Sequence, residues 1–455
     1  MSGFVNWSGV HRCRPAAIHQ PHDEAQIARV LAQANADGLR AKVVGAGHSW
    51  SEAACTDGHL MNLDRMDAVL DVDHERAQVT VEAGLRLKDL NERLADEGLG
   101  MSNLGSISEQ SVAGAIATGT HGTGLRFGNL STMVRALRLM RADGQVQDIT
   151  QDDGPLFDAA RLSLGALGVV TRVTLQCERA FRLRELAVGM PLDDALEQLP
   201  YWLDRHEHVK LWWLPHTDRA MFYAFDRTDL PETVGPGTGG PLRDALEVAL
   251  AQRWGRTEVD LMAEVDHWVN EHLFDAVLKA GARQPRLIAL LNALIARLYF
   301  IDRQRIGRSD RIFNLAMPPV HREMEYGVPV EEAPGLIRDL RALIERQAMA
   351  VNFIVEVRYV AADNLMLSPA YGRDSCQLGA YMAQAPDLDA YFAAFEAMCL
   401  NVGGRPHWGK EFRAPSSELK RHLPRLDEFA ALRQHLDPGK LFDNGFLRRI
   451  FAQHG

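Results

Sequence analysis

Between Pro21 and Gly38 the apolar residues Ile27, Val30, Leu31 and Ala34 fall at helical spacing, which predicts a helix that stops at Gly38. The run "AKVV" (41–44) is short enough for a strand and empties into "GAGHSWS". "AQVTVEAG" (77–84) alternates as a half-buried strand does, and "RLKDLNERLADEG" (86–98) reads as a helix closed by Gly98. Short α and β units continue to "LGVVTRVTLQC" (167–177), a strand with Gly165 and Gly168 just ahead of its apolar core. Beyond it the character changes. "HVKLWWLP" (208–215) is strand-like, residues 241–302 are helical, and "DLPETVGPGTGGP" (229–241) is a proline- and glycine-rich surface loop. Near the end "LPRLDEFAALRQHL" (423–436) predicts a helix stopped by Pro438 and Gly439. No internal repeat is visible.

Length and composition narrow the classes. The 455 residues suit two or three domains, and a formal net charge of −10 without a Lys/Arg cluster excludes nucleic acid as a partner. Five scattered cysteines (Cys13, Cys55, Cys177, Cys376, Cys399) lack metal-ligand spacing and fit a reducing compartment without a disulfide framework. The N-terminus has no apolar signal region, so a cytoplasmic, soluble protein is expected. The most apolar stretch, Arg286 to Ile301, is too short to span a bilayer and carries Asn292 and Arg297. It reads as a core or subunit-contact helix, and its amphipathic pattern leaves room for a weak membrane-surface contact. His206 and His208 lie two apart and no HExxH occurs, so no metal site is expected.

Two glycine-rich stretches carry the chemistry. In "VVGAGHSWS" (43–51), Gly45 and Gly47 match the start of a GxGxxG fingerprint, but the third glycine position is Trp50. The loop also lacks the ending of a P-loop. What remains is a backbone turn able to present N–H groups to a diphosphate. The second stretch, "NLGSISEQSVAGAIATGTHGTG" (103–124), has glycines at 105, 114, 119, 122 and 124 with small residues between them. Glycine costs ~1 kcal/mol against alanine inside a helix, so such a run suits close passage along a large anionic ligand. Together the two stretches argue for a bulky dinucleotide held extended. Further along, strand alternation in "NFIVEVRYV" places Glu356 and Arg358 on one face with Ile354 and Val360. Opposite charges there are either paired structurally or used in chemistry.

The segments 43–73, 79–84, "GLGMSNLGSISEQSVAGAIATGTHGTG" (98–124), "LWWLPHT" (211–217), "VEVRYVAADNLMLSPAYGRDSC" (355–376) and "VGGRPHWGK" (402–410) together resemble the vanillyl-alcohol-oxidase-type flavoproteins, and among them the sugar-lactone and alditol oxidases. The resemblance spans most of the chain and is weakest over residues 225–310. It implies an α+β fold: a two-part FAD-binding domain of the PCMH type (1–178, with 416–455 returning to it) and a substrate or cap domain (179–415) built on an antiparallel sheet.

The same resemblance implies an enzyme that oxidises the C2 hydroxyl of an aldono-1,4-lactone, L-gulono-1,4-lactone foremost, giving ascorbate and hydrogen peroxide with molecular oxygen as acceptor. The alternatives are a dehydrogenase of that or a related lactone (D-arabinono-1,4-lactone) with a cytochrome c-type partner, and an alditol oxidase. FAD is implied to be covalently attached through His48. Val44, Gly45, Ala46, Gly47, Ser49, Gly105, Ser106, Ser111, Gly114, Gly119, Thr120, His121, Gly122, Gly168, Val170, His407 and Lys410 are implied to contact it. Glu356, Arg358, Lys410 and Ser106 are implied to act on the substrate, with Tyr381 also facing the pocket. The resemblance further implies that Gly105 leaves the flavin open to oxygen.

Overall fold

A computed structural model of the chain describes residues 3–235, 241–255, 259–315, 319–383 and 385–452. The loop expected over 229–241 therefore falls partly, at 236–240, outside the described residues. Among the described residues no helix is long and apolar enough to cross a membrane.

The expected first helix is Glu24–Ala36. The Asp23 side chain caps it by accepting from Gln26 N, and it buries Ile27, Val30, Leu31 and Ala34 as the periodicity requires. It packs beside a parallel sheet of Ala17–His19, His59–Asn62 and Ala41–Val44, with His59–Asn62 in the centre. Leu441 and Phe442, from the far end of the chain, fill the same core, and Ala41 N donates to Leu441 O at 2.8 Å. Lys42 is buried in this seam and reaches the carbonyls of Leu164, Gly165 and Phe442. Five antiparallel strands follow in the order Val146–Thr150, Val134–Met140, Val169–Gln176, Gln78–Glu82, Val69–Asp73.

An eight-stranded antiparallel sheet dominates the rest: Arg303–Arg308, Arg182–Pro191, Arg219–Thr228, His208–Trp213, Val355–Val360, Ser375–Met382, Arg322–Pro329 and Arg405–Pro406, in that order. Directly opposed residues of neighbouring strands share a face, so the register sorts the side chains. Leu211 opposes Val357 and Val357 opposes Leu378, all fully buried. Helices Leu192–Arg205 and Leu388–Asn401 cover this apolar face, Trp202 stacking on Phe222 at 4.7 Å. One residue along, Trp212 opposes Glu356, Glu356 opposes Gly379, and Gly379 opposes Glu325. The second face of the sheet is thus buried and charged, and it is this face that builds the site.

The core-helix reading of residues 286–301 needs correction. Helix Ile288–Tyr299 buries Ile288, Asn292 and Ala296, while Leu290, Leu294 and Leu298 are 68, 51 and 61 % exposed. The polar residue is the anchored one, since Asn292 Nδ2 donates to Pro215 O and Val351 O. An inward Asn with two carbonyl acceptors on neighbouring segments fixes the helix rotation, and the leucines of the opposite stripe go outward.

Leu378 is fully buried on a strand flanked on both sides. Leu378→Ala should cost about 2–5 kcal/mol, read as a lower midpoint of denaturant unfolding.

Candidate active site

The first glycine loop leaves the strand Ala41–Val44 and lines a cleft with Gly84, Ser111, Gly114, Ser163, Leu164, Gly165, Gly168 and Val170. Two glycines make this geometry. A Cβ on Gly45 would lie 2.3 Å from Ser111 Oγ, so the two glycine stretches can touch only without a side chain there. Gly47 has φ +70°, the left-handed region that turns the loop into the cleft. Among the described residues, the backbone N–H groups of Gly45 through Ser49 donate to no other part of the chain. The start of helix Val112–Thr118 offers no such donors. Val112 N donates to Leu85 O, Ala113 N to Ala83 O, and Gly114 N to the Ser111 hydroxyl. The candidate anion cradle is therefore the first loop, with the helix as its wall.

His48 stands at the end of this cradle. Burial lowers its pKa, Arg86 and Lys410 add to the effect, and Glu109 opposes it, so the ring is neutral at pH 7. Its Nδ1 is buried without a hydrogen-bond partner, and the ring stacks on Trp7 at 5.7 Å between centroids. A neutral imidazole with one uncommitted nitrogen, beside free N–H donors and a wall of glycines, fits a flavin dinucleotide.

The charged pair sits on the inner face of the large sheet. Arg358 Nη2 donates to Glu356 Oε1 at 2.9 Å and to Ser106 Oγ at 2.6 Å. Trp212 Nε1 donates to Glu356 Oε1 at 2.6 Å and Tyr381 OH to Oε2 at 2.7 Å. Burial alone would raise the Glu356 pKa, but the charges of Arg358 and Lys210 and the donated hydrogen bonds outweigh it and hold the carboxyl at about 2. Lys210 is itself buried, which brings it down to about 8. Ser106 is positioned by the backbone: Leu315 N donates to Ser106 O, and Asn314 Nδ2 to Gly105 O. The same strand is tied to the end of the second glycine stretch, with Gly124 N donating to Tyr359 O at 2.8 Å.

Lys410 belongs to a second charged group on the same face. Its Nζ pairs with Glu323, lies 4.0 Å from Glu325 Oε2, and sits 4.1 Å over the Trp50 ring. Glu325 accepts from His121 Nε2 at 2.6 Å, and although burial opposes ionisation, His121 and Lys410 keep it well below the usual carboxylate range. Burial takes His407 down to about 3, a neutral ring whose Nδ1 accepts from Gly409 N. Trp50 joins the groups: its backbone N–H donates to Gly409 O and its indole to His321 O.

Val44 through Ser49, Ser111, Gly114, Gly168 and Val170 line the cleft, and Ser106, Glu356 and Arg358 form one bonded cluster. Gly105, Gly119, Thr120, His121, Gly122, His407 and Lys410 lie outside the cleft wall. Gly119, at φ +74°, ends helix Val112–Thr118, Thr120 accepts from Gln110 Nε2, and His121 faces Glu325. Sequence reading missed Glu323, Glu325, Trp212 and Lys210. Alternation in "REMEYG" and "HVKLWW" could have flagged all four.

With the geometry in place, comparison with known proteins is informative. Residues 15–150 match an FAD binding domain and residues 173–450 match a D-arabinono-1,4-lactone oxidase model. An L-gulono-1,4-lactone dehydrogenase of Mycobacterium tuberculosis is 36% identical over 449 residues, covering 99% of each chain. An L-gulonolactone oxidase of Mus musculus is 33% identical, covering 98% of each. Among solved structures, a solvent-stable cholesterol oxidase superposes with TM-score 0.76 at 17% identity, over 98% of this chain and 97% of that one. A second cholesterol oxidase, from B. sterolicum, gives 0.77 at 15%, over 99% and 96%. Fold and site thus define a flavoprotein oxidoreductase acting on CH–OH groups, with FAD as its cofactor. The chain belongs to the D-arabinono-1,4-lactone oxidase family, which takes in the aldonolactone oxidases and dehydrogenases.

Gly45→Ala should push Ser111 aside and break the contact between the two glycine stretches. FAD content of the purified protein, read as the ratio of flavin to protein absorbance, is expected to fall by about half or more.

Proposed function

We propose that this protein oxidises the C2 hydroxyl of an aldono-1,4-lactone, L-gulono-1,4-lactone in the first place, to a 2-keto lactone that enolises to ascorbate, with molecular oxygen as the final acceptor. The observation that carries this reading is the Glu356–Arg358–Ser106 cluster, where a buried carboxylate–guanidinium pair meets the second glycine stretch. In this reading residues 1–178 with 416–455 hold the cofactor and residues 179–415 hold the lactone. FAD, when bound, supplies the acceptor for the hydride that leaves C2.

The chain's own groups bind and orient the lactone. A carboxylate held at about 2 and already accepting from three donors is a weak proton acceptor, so Glu356 orients the C2 hydroxyl and keeps Arg358 in place. Arg358, always protonated, stabilises the oxygen as its proton passes to solvent, and the Ser106 hydroxyl holds the same oxygen in line. Lys410 supplies positive charge from the neighbouring group, balanced by Glu323. His48, neutral and with Nδ1 uncommitted, is the attachment point for the flavin.

Oxygen as acceptor rests on Gly105. A Cβ there would lie 3.3 Å from both His121 O and the Thr120 methyl, so any side chain would fill the narrow gap that glycine leaves. Both oxidases and a dehydrogenase occur among the relatives, which makes this position the one to test.

Two outcomes are expected. In an aerobic panel of L-gulono-1,4-lactone, D-arabinono-1,4-lactone and xylitol, the gulonolactone should give the highest kcat/KM with one peroxide per lactone. Dye reduction without peroxide would favour the dehydrogenase reading. Gly105→Ala should lower peroxide formation roughly tenfold or more while dye-linked turnover persists. When the protein is precipitated in acid, the yellow colour should stay with the pellet, and in His48→Ala it should wash into the supernatant.

A further inference from the structure

Lysine is almost never buried without a partner, yet Lys210 on strand His208–Trp213 is 4 % exposed. The carboxylates whose charge reaches it are committed elsewhere: Glu185 accepts from Arg305 Nη2 at 2.6 Å, and Glu356 from Arg358 Nη2 at 2.9 Å. The Lys210 ammonium lies instead over three ring faces, 4.8 Å from the Trp212 and Tyr223 centroids and 5.5 Å from that of Phe225. A cation within about 6 Å of an aromatic centroid is attracted to the ring face, more strongly where water is excluded. Register builds this box. Tyr223 opposes Lys210 on the neighbouring strand, and Phe225 opposes His208. Beyond them Phe225 opposes Glu185, and Glu185 opposes Arg305 at the sheet's edge. Charge therefore alternates along this buried face from the edge inward, through Arg305, Glu185, Lys210, Glu356 and Arg358.

We infer that Lys210 is a positioning residue for the oxidation: held in its aromatic box, the ammonium keeps the Trp212 indole aimed at Glu356, and so keeps Glu356 and Arg358 in the geometry that receives the substrate hydroxyl. Trp212 is the link. Its ring takes the ammonium, meets Tyr223 edge to face at 4.8 Å, and donates from Nε1 to Glu356 Oε1 at 2.6 Å. Without the cation the indole loses one of the contacts that set its plane, and Glu356 is left with Arg358 to balance its charge. Arg358 Nη2 is shared between Glu356 and Ser106, so a stronger pull from the carboxylate draws it off the serine and the substrate oxygen.

The positioning charge is conditional on pH. Burial brings Lys210 down to about 8, Arg358 and Arg305 add to the effect, and Glu356 and Glu185 oppose it. The groups that face it from the other strands keep their charge state there. Glu356 is held at about 2, and although burial opposes ionisation, Arg305 keeps Glu185 below the usual carboxylate range. Burial pushes the Tyr223 hydroxyl far up, and Arg303, Arg305 and Arg358 stay protonated. Lys210 is the one of these that changes charge near pH 8. Its cation is present below that pH and lost as pH rises through it.

The kinetic part of this inference rests on the proposed lactone chemistry, so the test has one arm without substrate. In the FAD-loaded full chain carrying isotope-labelled tryptophan, the Trp212 indole N–H resonance is assigned by its loss in Trp212→Phe and followed from about pH 6 to 10. It should move with a midpoint near 8 in the wild type and stay in place in Lys210→Met and Lys210→Arg. Anaerobic stopped-flow with L-gulono-1,4-lactone then reads flavin bleaching. The wild-type reduction rate should fall about tenfold across the same midpoint, and Lys210→Met should be slower by about tenfold at neutral pH with its FAD content unchanged. Lys210→Arg keeps the charge and does not titrate, so it should stay within about threefold of wild type at neutral pH and lose the alkaline fall. The inference is overturned if the indole resonance does not move over this range, if the alkaline fall persists in Lys210→Arg, or if Lys210→Met reduces its flavin within about twofold of wild type. Should Lys210→Met fail to fold, the wild-type and Lys210→Arg profiles decide. A wild-type flavin that no lactone bleaches would strike the proposed function, and the indole titration would still decide whether Lys210 governs Trp212.

Discussion

The site depends on a buried ion pair that would be unfavourable without its surroundings. Taking a carboxylate and a guanidinium out of water costs several kcal/mol per ion, and a lone contact at 2.9 Å does not recover it. Here the indole of Trp212 and the hydroxyl of Tyr381 donate to Glu356, Arg358 donates to the hydroxyl of Ser106, and Lys210 adds charge behind the pair. The partners come from strand His208–Trp213, strand Ser375–Met382 and the second glycine stretch. The pair is therefore stable only when the sheet register and the second glycine stretch are both correct, which couples the geometry of the site to the completeness of the fold.

The same logic explains why the large sheet has one apolar and one charged face. Register places Trp212, Glu356, Gly379 and Glu325 in a row across four strands, and Gly379 is the gap between the two charged groups. A Cβ on Gly379 would lie 2.9 Å from the Tyr381 ring, so the glycine lets Tyr381 lean over to Glu356. Three backbone contacts then tie the sheet and its flanking loops to the residues that match an FAD binding domain: Gly124 to Tyr359, Leu315 to Ser106 and Trp50 to Gly409. The cofactor cradle and the charged face meet through main-chain hydrogen bonds, which side-chain substitutions on the surface do not disturb.

Much of this was legible in the sequence. Period-3.6 spacing gave helix Glu24–Ala36 with its buried stripe, and period-2 alternation put Glu356 and Arg358 on one face. The glycine positions of the first loop signalled a close backbone approach, which the structure shows between Gly45 and Ser111. What stayed hidden depended on long-range register: that Trp212 would oppose Glu356 and that Lys410 would reach Glu323. Local composition also misled at helix Ile288–Tyr299, where an apolar run suggested core and the two acceptors of Asn292 turned the leucines outward.

The central claim is that the buried pair holds the lactone for reduction of the flavin. It is tested most directly by anaerobic stopped-flow, following flavin bleaching near 450 nm after mixing Glu356→Gln with L-gulono-1,4-lactone. The account requires the reduction rate to fall about 100-fold or more against the wild-type chain, with FAD content unchanged. A reduction rate within about twofold of wild type at the same FAD content would contradict it.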